Sequence, residues 1–119
     1  MGRALRHRSE LWERTRQFFD KYDILVTLTT PIPPFPAEKL FPTEIGGKPM
    51  ENYVDWAALA FAFTMVGLPA MSVPAGWTKK GLPVGIQIVG RRHAEAAVLK
   101  AGAAYETARP WADRRPEIG

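Results

Sequence analysis

Along residues 3–22 the positions Ala4, Leu11, Thr15, Phe18 and Tyr22 recur at intervals of three, four or seven. That spacing predicts one face of an amphipathic helix. The pattern stops at Asp23, and "ILVTLT" follows as a short β-branched apolar run, the mark of a strand covered on both faces. A helix passing directly into such a strand predicts an α/β fold.

The pattern then breaks. "TPIPPFPAEKLFPTEIGGKP" carries prolines at 31, 33, 34, 36, 42 and 49, which withhold backbone donors and disfavour helix in the residues before them. This stretch is expected to be an extended loop of a length that is unusual in a compact domain. Residues 52–65 return to helical propensity, and "AALAFAF" is apolar on every side. A helix apolar all round is one buried all round.

The tripeptide Gly-Leu-Pro occurs at 67–69 and again at 81–83, each time leading into an apolar run that closes on glycine. Residues 70–76 and 83–89 are expected to form a β-hairpin, joined through 77–82, with Gly81 free to take a positive φ. On the second strand Val84, Ile86 and Ile88 face one way, while Gly85, Gln87 and Val89 face the other. Both sets are essentially apolar, as in the interior of a covered sheet. Ala94, Ala97, Val98, Ala101, Ala104, Tyr105 and Ala108 then make a last helical stripe, small enough for the helix to lie close to a sheet, ended by Pro110.

Composition narrows the picture. The chain has 119 residues, one domain's worth of material, with 46% apolar and 24% charged positions. Three strands and three helices cannot cover every apolar face just counted, which predicts a larger partner surface or self-association of the isolated chain. There is no cysteine, which excludes disulfides, thiolate-ligated zinc and cysteine nucleophiles. No apolar run is long enough to span a bilayer and no signal-peptide core is present, so the sequence reads as a cytoplasmic chain with no membrane partner. The formal net charge of +4 gathers near the front, where Arg3, Arg6, Arg8, Arg14 and Arg16 outnumber Glu10 and Glu13. No aromatic motif interleaves them, and Glu10–Arg14 has the spacing of a helical ion pair. A solvated helix face, with no nucleic-acid partner, is the expectation.

Candidate chemistry is sparse. Ser9 falls on the charged helix and Ser72 inside an apolar strand, neither within a nucleophile elbow. His7 and His93 have no ligand or base partner at suitable spacing, and the carboxylates are scattered, so no catalytic residue, metal site or cofactor site is assigned. Gln87, the one polar side chain of its strand, must satisfy its amide; tying the strand to a neighbouring loop is the reading preferred over a substrate contact.

The run "FTMVGLPAMSVPAGWTKKGLPVGIQIVG" resembles the C-terminal region of amidase-signature enzymes, in which a Gly-x-Pro-Ala turn, a Ser-Val-Pro-x-Gly strand and a Gly-Leu-Pro-Val-Gly-x-Gln strand follow one another. The resemblance extends upstream through "FFDKYDILVTLTTPIPP" and downstream through "AVLKAGAAYETARPW". It departs from the family at Thr64, where asparagine is usual, and at Ala75, where cysteine is common.

The resemblance implies that residues 1–119 are a single incomplete domain, the C-terminal segment of an amidase whose mixed β-sheet is covered by helices. It further implies C–N bond hydrolysis of a small-molecule amide by a Ser-Ser-Lys mechanism, without a cofactor, whose residues lie upstream of this chain. By matching the Gly67 turn, it assigns Val54, Ala57 and Phe61 to a wall of the acyl pocket, favouring an uncharged or aromatic acyl group. Two alternatives stand beside it: a stand-alone non-catalytic interaction domain, and a glutamyl-tRNA amidotransferase A-type subunit.

Overall fold

The computed structural model describes residues 2–115. Helix α1 spans Gly2–Phe19 and strand β1 Ile24–Leu28. A two-residue ladder, β2 (Glu44–Ile45) with β3 (Lys48–Pro49), sits inside the proline-rich segment. Helix α2 spans Ala58–Met65, strands β4 and β5 span Ala70–Trp77 and Pro83–Gly90, and helix α3 spans Glu95–Ala108. The three longer strands form one antiparallel sheet in the order β1-β5-β4.

Register explains why both faces of this sheet are apolar. Val26 lies opposite Ile88 and Leu28 opposite Ile86, while on the other side of β5 Met71 opposes Ile88 and Val73 opposes Ile86. Residues directly opposed share a face, and this face receives α3: Val73, Ile88 and Val98 are buried together, with Ile24, Met71, Ala101 and Tyr105 packed around them. The alternate set faces α1 and α2, where Phe19, Val66, Leu68 and Val89 form a second cluster flanked by Leu11, Trp12, Leu25 and Phe63. Val89 is wholly buried. The alternation expected for β5 is therefore the one observed, and it divides the core into two layers on either side of a single strand.

The first Gly-Leu-Pro closes α2. Gly67 takes φ +69, its N–H reaches the Thr64 carbonyl at 3.0 Å, and the Leu68 N–H reaches the Phe63 carbonyl at 3.1 Å. This pair of bonds is a Schellman cap, in which a left-handed residue satisfies the last helical carbonyls and the following apolar residue packs back. Leu68 and Phe63 do so within the same cluster. The second Gly-Leu-Pro serves the hairpin: Gly81 adopts φ +80 and donates to the Thr78 carbonyl, and Pro83 opens β5 opposite Trp77.

Gly85 faces the α1–α2 side, where a Cβ would stand 3.2 Å from Thr29 Oγ1 and 3.3 Å from Ser72 Oγ. Its missing side chain lets those two hydroxyls meet at 2.9 Å across the strand. Beside them the Gln87 side chain, 4% exposed, donates from Nε2 to the carbonyls of Leu28 and Leu59, each at 3.0 Å. Gln87 is a structural amide that ties β5 to the end of β1 and to α2.

Several local expectations need adjustment. The first helix stops at Phe19, which is buried, and leaves Tyr22 exposed. The proline-rich stretch is not wholly extended: Gly46 and Gly47 both take positive φ and fold it into the β2–β3 ladder, as a primed two-residue turn requires. Residues 52–65 are not one helix. Asn52 Oδ1 accepts the Val54 and Asp55 N–H groups, a single 3₁₀ turn follows at Asp55–Ala57, and only then does α2 begin. The Glu10–Arg14 spacing produces no ion pair among the described residues; Arg16 instead bridges Glu13 at 2.8 Å and Asp20 at 3.0 Å. Hydrogen bonds from Arg16 and then Gln17 hold the Glu13 carboxyl down at about 2.

Coverage is incomplete where the apolar pattern led us to expect a larger partner surface. No α2 residue is buried, and on β1 Val26 and Leu28 are 55% and 53% exposed because α3 packs chiefly over β4 and β5 and reaches β1 only at Ile24. β1 and β4 are the sheet's two edges. No described helix is long and apolar enough to cross a membrane.

Candidate substrate wall

The proline-rich loop returns β3 to the start of α2, and between them lies a cavity of about 430 Å³. Its lining comes from the hairpin (Lys48, Pro49), from Met50 and Glu51, and from Val54, Asp55, Ala58 and Phe61. Of the three positions assigned from sequence, the structure brings Val54 and Phe61 to this cavity and leaves Ala57 half-buried beside it. Ala58 takes the middle position. Val54, Ala58 and Phe61 keep the spacing of four and three that also defines one helical face.

The lining is apolar through Val54, Ala58 and Phe61 and charged through Lys48, Glu51 and Asp55. Asp55 is partly committed, since its Oδ2 accepts the Glu51 N–H at 3.0 Å. Lys48 is the residue that sequence reasoning missed: the helix face itself offers nothing to pair a carboxylate, but the hairpin brings a cation to the same cavity. The Gly46-Gly47 dipeptide was the available signal for that hairpin.

An aromatic group supports this wall from below. Trp56 meets Phe35 edge-on at 5.5 Å and Tyr53 at 6.1 Å between ring centres. This anchors the proline-rich loop to the 3₁₀ turn. The Trp56 Nε1 is buried with no hydrogen-bond partner among the described residues.

The hydroxyl and imidazole groups form no catalytic arrangement. Ser72 Oγ has one recorded partner, the neutral Thr29 hydroxyl, and a serine attacks only when a base takes its proton. Ser9 Oγ donates to the Leu5 carbonyl at 3.0 Å within α1. His7 and His93 are both exposed, on α1 and in the turn before α3. No group of three or more potential metal-ligating side chains occurs among the described residues.

The family model described as Amidase matches residues 2–99. The chain belongs to the amidase family. Among curated relatives, an acylamidase of Rhodococcus erythropolis is 38% identical over 117 residues, which cover 98% of this amidase chain and 24% of the relative. The A-type subunit of glutamyl-tRNA(Gln) amidotransferase from Moorella thermoacetica is also 38% identical over 117 residues, covering 98% of this chain and 23% of its own length. Among solved structures, a bacterial aryl acylamidase of the amidase-signature family superposes with a TM-score of 0.80 at 30% identity, over 92% of this chain and 24% of that one. The amidase chain thus spans about a quarter of the length of the relatives it matches. Its α/β fold, an antiparallel sheet between helices, is that of a segment of an amidase-signature enzyme.

Proposed function

We propose that this chain supplies sheet support and one wall of the acyl pocket in an amide hydrolase, and that it does not supply the nucleophile. The observation that carries this reading is the superposition on the bacterial aryl acylamidase over 92% of the chain but only 24% of that enzyme. A segment of that extent contributes architecture, and the serines within it lack a base. The Ser-Ser-Lys chemistry implied by the resemblance belongs to residues outside the chain, at positions preceding a C-terminal segment. The open faces of β1 and α2 are then the surfaces on which the remaining enzyme packs. In the isolated chain those same surfaces would drive self-association.

In this role Val54, Ala58 and Phe61 hold the apolar part of an acyl group, and the half-buried Ala57 spaces the helix from its neighbours. Lys48 in the lining orients polar substituents. The substrate class is a small amide with an uncharged or aromatic acyl portion. Burying that portion against Phe61 and excluding water raises the strength of whatever hydrogen bonds polarise the scissile carbonyl.

Phe61→Ala in the full natural protein is expected to change the ranking of amide substrates by kcat/KM. Aromatic and branched acyl groups should lose about tenfold or more relative to acetyl, since a lost apolar contact is worth roughly 1–3 kcal/mol. A uniform loss across substrates together with a lower melting temperature would place Phe61 in the core and remove it from the pocket.

The Moorella protein, matched at the same 38% identity over the same length, favours a second reading as part of an amidotransferase A-type subunit. Amidation of glutamyl-tRNA(Gln) by the natural protein, with little hydrolysis of free aryl amides, would select it over the hydrolase.

A further inference from the structure

We propose that the cavity between α1 and the turn joining α2 to β4 is a binding site for a small carboxylate bearing an apolar group. It lies at the opposite end of α2 from the substrate wall and has a volume of about 230 Å³. One stripe of α1, Leu5, Arg8, Ser9 and Trp12, forms its floor at intervals of three and four, and Val66 and Arg92 close it from the other side.

Both guanidinium groups, on exposed residues, meet neutral partners. Arg8 donates from Nε to the Met65 carbonyl at 2.7 Å. This caps the C-terminal end of α2 while leaving the two terminal nitrogens of Arg8 without a recorded partner. The Arg92 guanidinium stands over the Trp12 ring, 5.6 Å from its centre. The carboxylates that could quench them are engaged elsewhere or absent from the cavity: Glu13 and Asp20 are taken by Arg16, and no lining residue is acidic. Among the described residues, neither Arg8 nor Arg92 has an ion-pair partner.

Two cations reach one small hollow from opposite walls, with no acidic lining residue between them, and a carboxylate bound there meets both. Arginine's planar fork suits a carboxylate's two oxygens. Leu5, Val66 and the Trp12 ring supply an apolar lining that a bare inorganic anion cannot use, and a small ring or branched chain can. The chemistry is that of an aromatic or aliphatic carboxylate, the same class that amide hydrolysis releases.

Calorimetric titration of the full natural protein with benzoate and, separately, with inorganic phosphate tests the site. Saturable one-to-one binding of benzoate, weaker binding of phosphate, and a loss of at least about tenfold in benzoate affinity in Arg92→Gln are expected. Arg92→Lys should retain more affinity than Arg92→Gln, and Leu5→Ala should weaken benzoate without changing phosphate. Arg8→Gln should match Arg92→Gln if it folds; should the lost Met65 bond unfold it, the two Arg92 variants and Leu5→Ala carry the test. Absence of saturable benzoate binding would overturn the proposal. So would an affinity unchanged in Arg92→Gln, which would put the ligand elsewhere, such as the acyl pocket. Phosphate binding as tight as benzoate would overturn the assignment to an apolar carboxylate.

Discussion

Gln87→Leu is expected to destabilise the fold by about 2–3 kcal/mol, although leucine is similar in size and its position is buried. The reason is the pair of carbonyls it leaves behind. Gln87 Nε2 supplies both Leu28 and Leu59, each at 3.0 Å, and a buried acceptor stranded without a donor costs roughly 1–3 kcal/mol. These two bonds also tie the start of α2 to the sheet, where the end of β1 is already paired with β5. Urea unfolding should therefore show a lower midpoint with an unchanged slope. A change below about 0.5 kcal/mol, the range of ordinary surface substitutions, would mean that the amide is not the tie described above.

Gly90→Val should cost about 1–3 kcal/mol by overpacking. A Cβ at Gly90 would lie 2.6 Å from Val98 Cγ2, with the Ala94 carbonyl at 3.5 Å and Pro69 Cγ at 3.7 Å. Val98 is 3% exposed and belongs to the α3-side cluster, and its β-branched side chain has few rotamers to retreat into. Gly102 is a different case: an added Cβ there meets only the end of the Met71 side chain, which can swing away. The test is a double-mutant cycle by thermal or urea unfolding. Combined with Val98→Ala, the Gly90→Val variant should be less destabilised than the sum of the two single changes, by about 1 kcal/mol or more. Additive losses would show that Gly90 matters for its backbone and not for the approach of α3.

What could be read from the sequence divides along physical lines. The β5 alternation was legible because its period is two: a slip of one residue would exchange Ile86 and Ile88 with Gln87 and Val89, and the error would be obvious. The hairpin and its Gly81 turn were legible because they are local. The place of β1 beside β5 was not, since pairing between residues far apart leaves no local signature. On α1 the spacing identified Leu11 and Phe18 but not Trp12 and Phe19. With two adjacent aromatic residues, the core takes whichever its geometry reaches, and Phe19 is the one at 2% exposure. The cavity beside α2 shows the same limit. Val54 and Phe61 share a cavity as the helical spacing implied, but Ala58 and not Ala57 lines it with them, a choice between two positions that helical spacing alone leaves open. The cavity that Arg8, Trp12 and Arg92 line together joins the first helix to the residues after β5, and nothing in either segment alone announces it.

The hydroxyl pair of Thr29 and Ser72 carries the same lesson into function. Ser72, in an apolar strand, has no nucleophile elbow in the sequence. The structure gives it a neutral partner across Gly85 and no base.

Amide hydrolysis by the purified 119-residue chain is the most direct measurement of the claim that this segment builds a wall and does not catalyse. With a chromogenic aryl amide at high protein concentration, the expected release is indistinguishable from buffer, for the chain and for its Ser72→Ala variant alike. Hydrolysis that persists through further purification and disappears in Ser72→Ala would contradict it, because the nucleophile would then lie in β4.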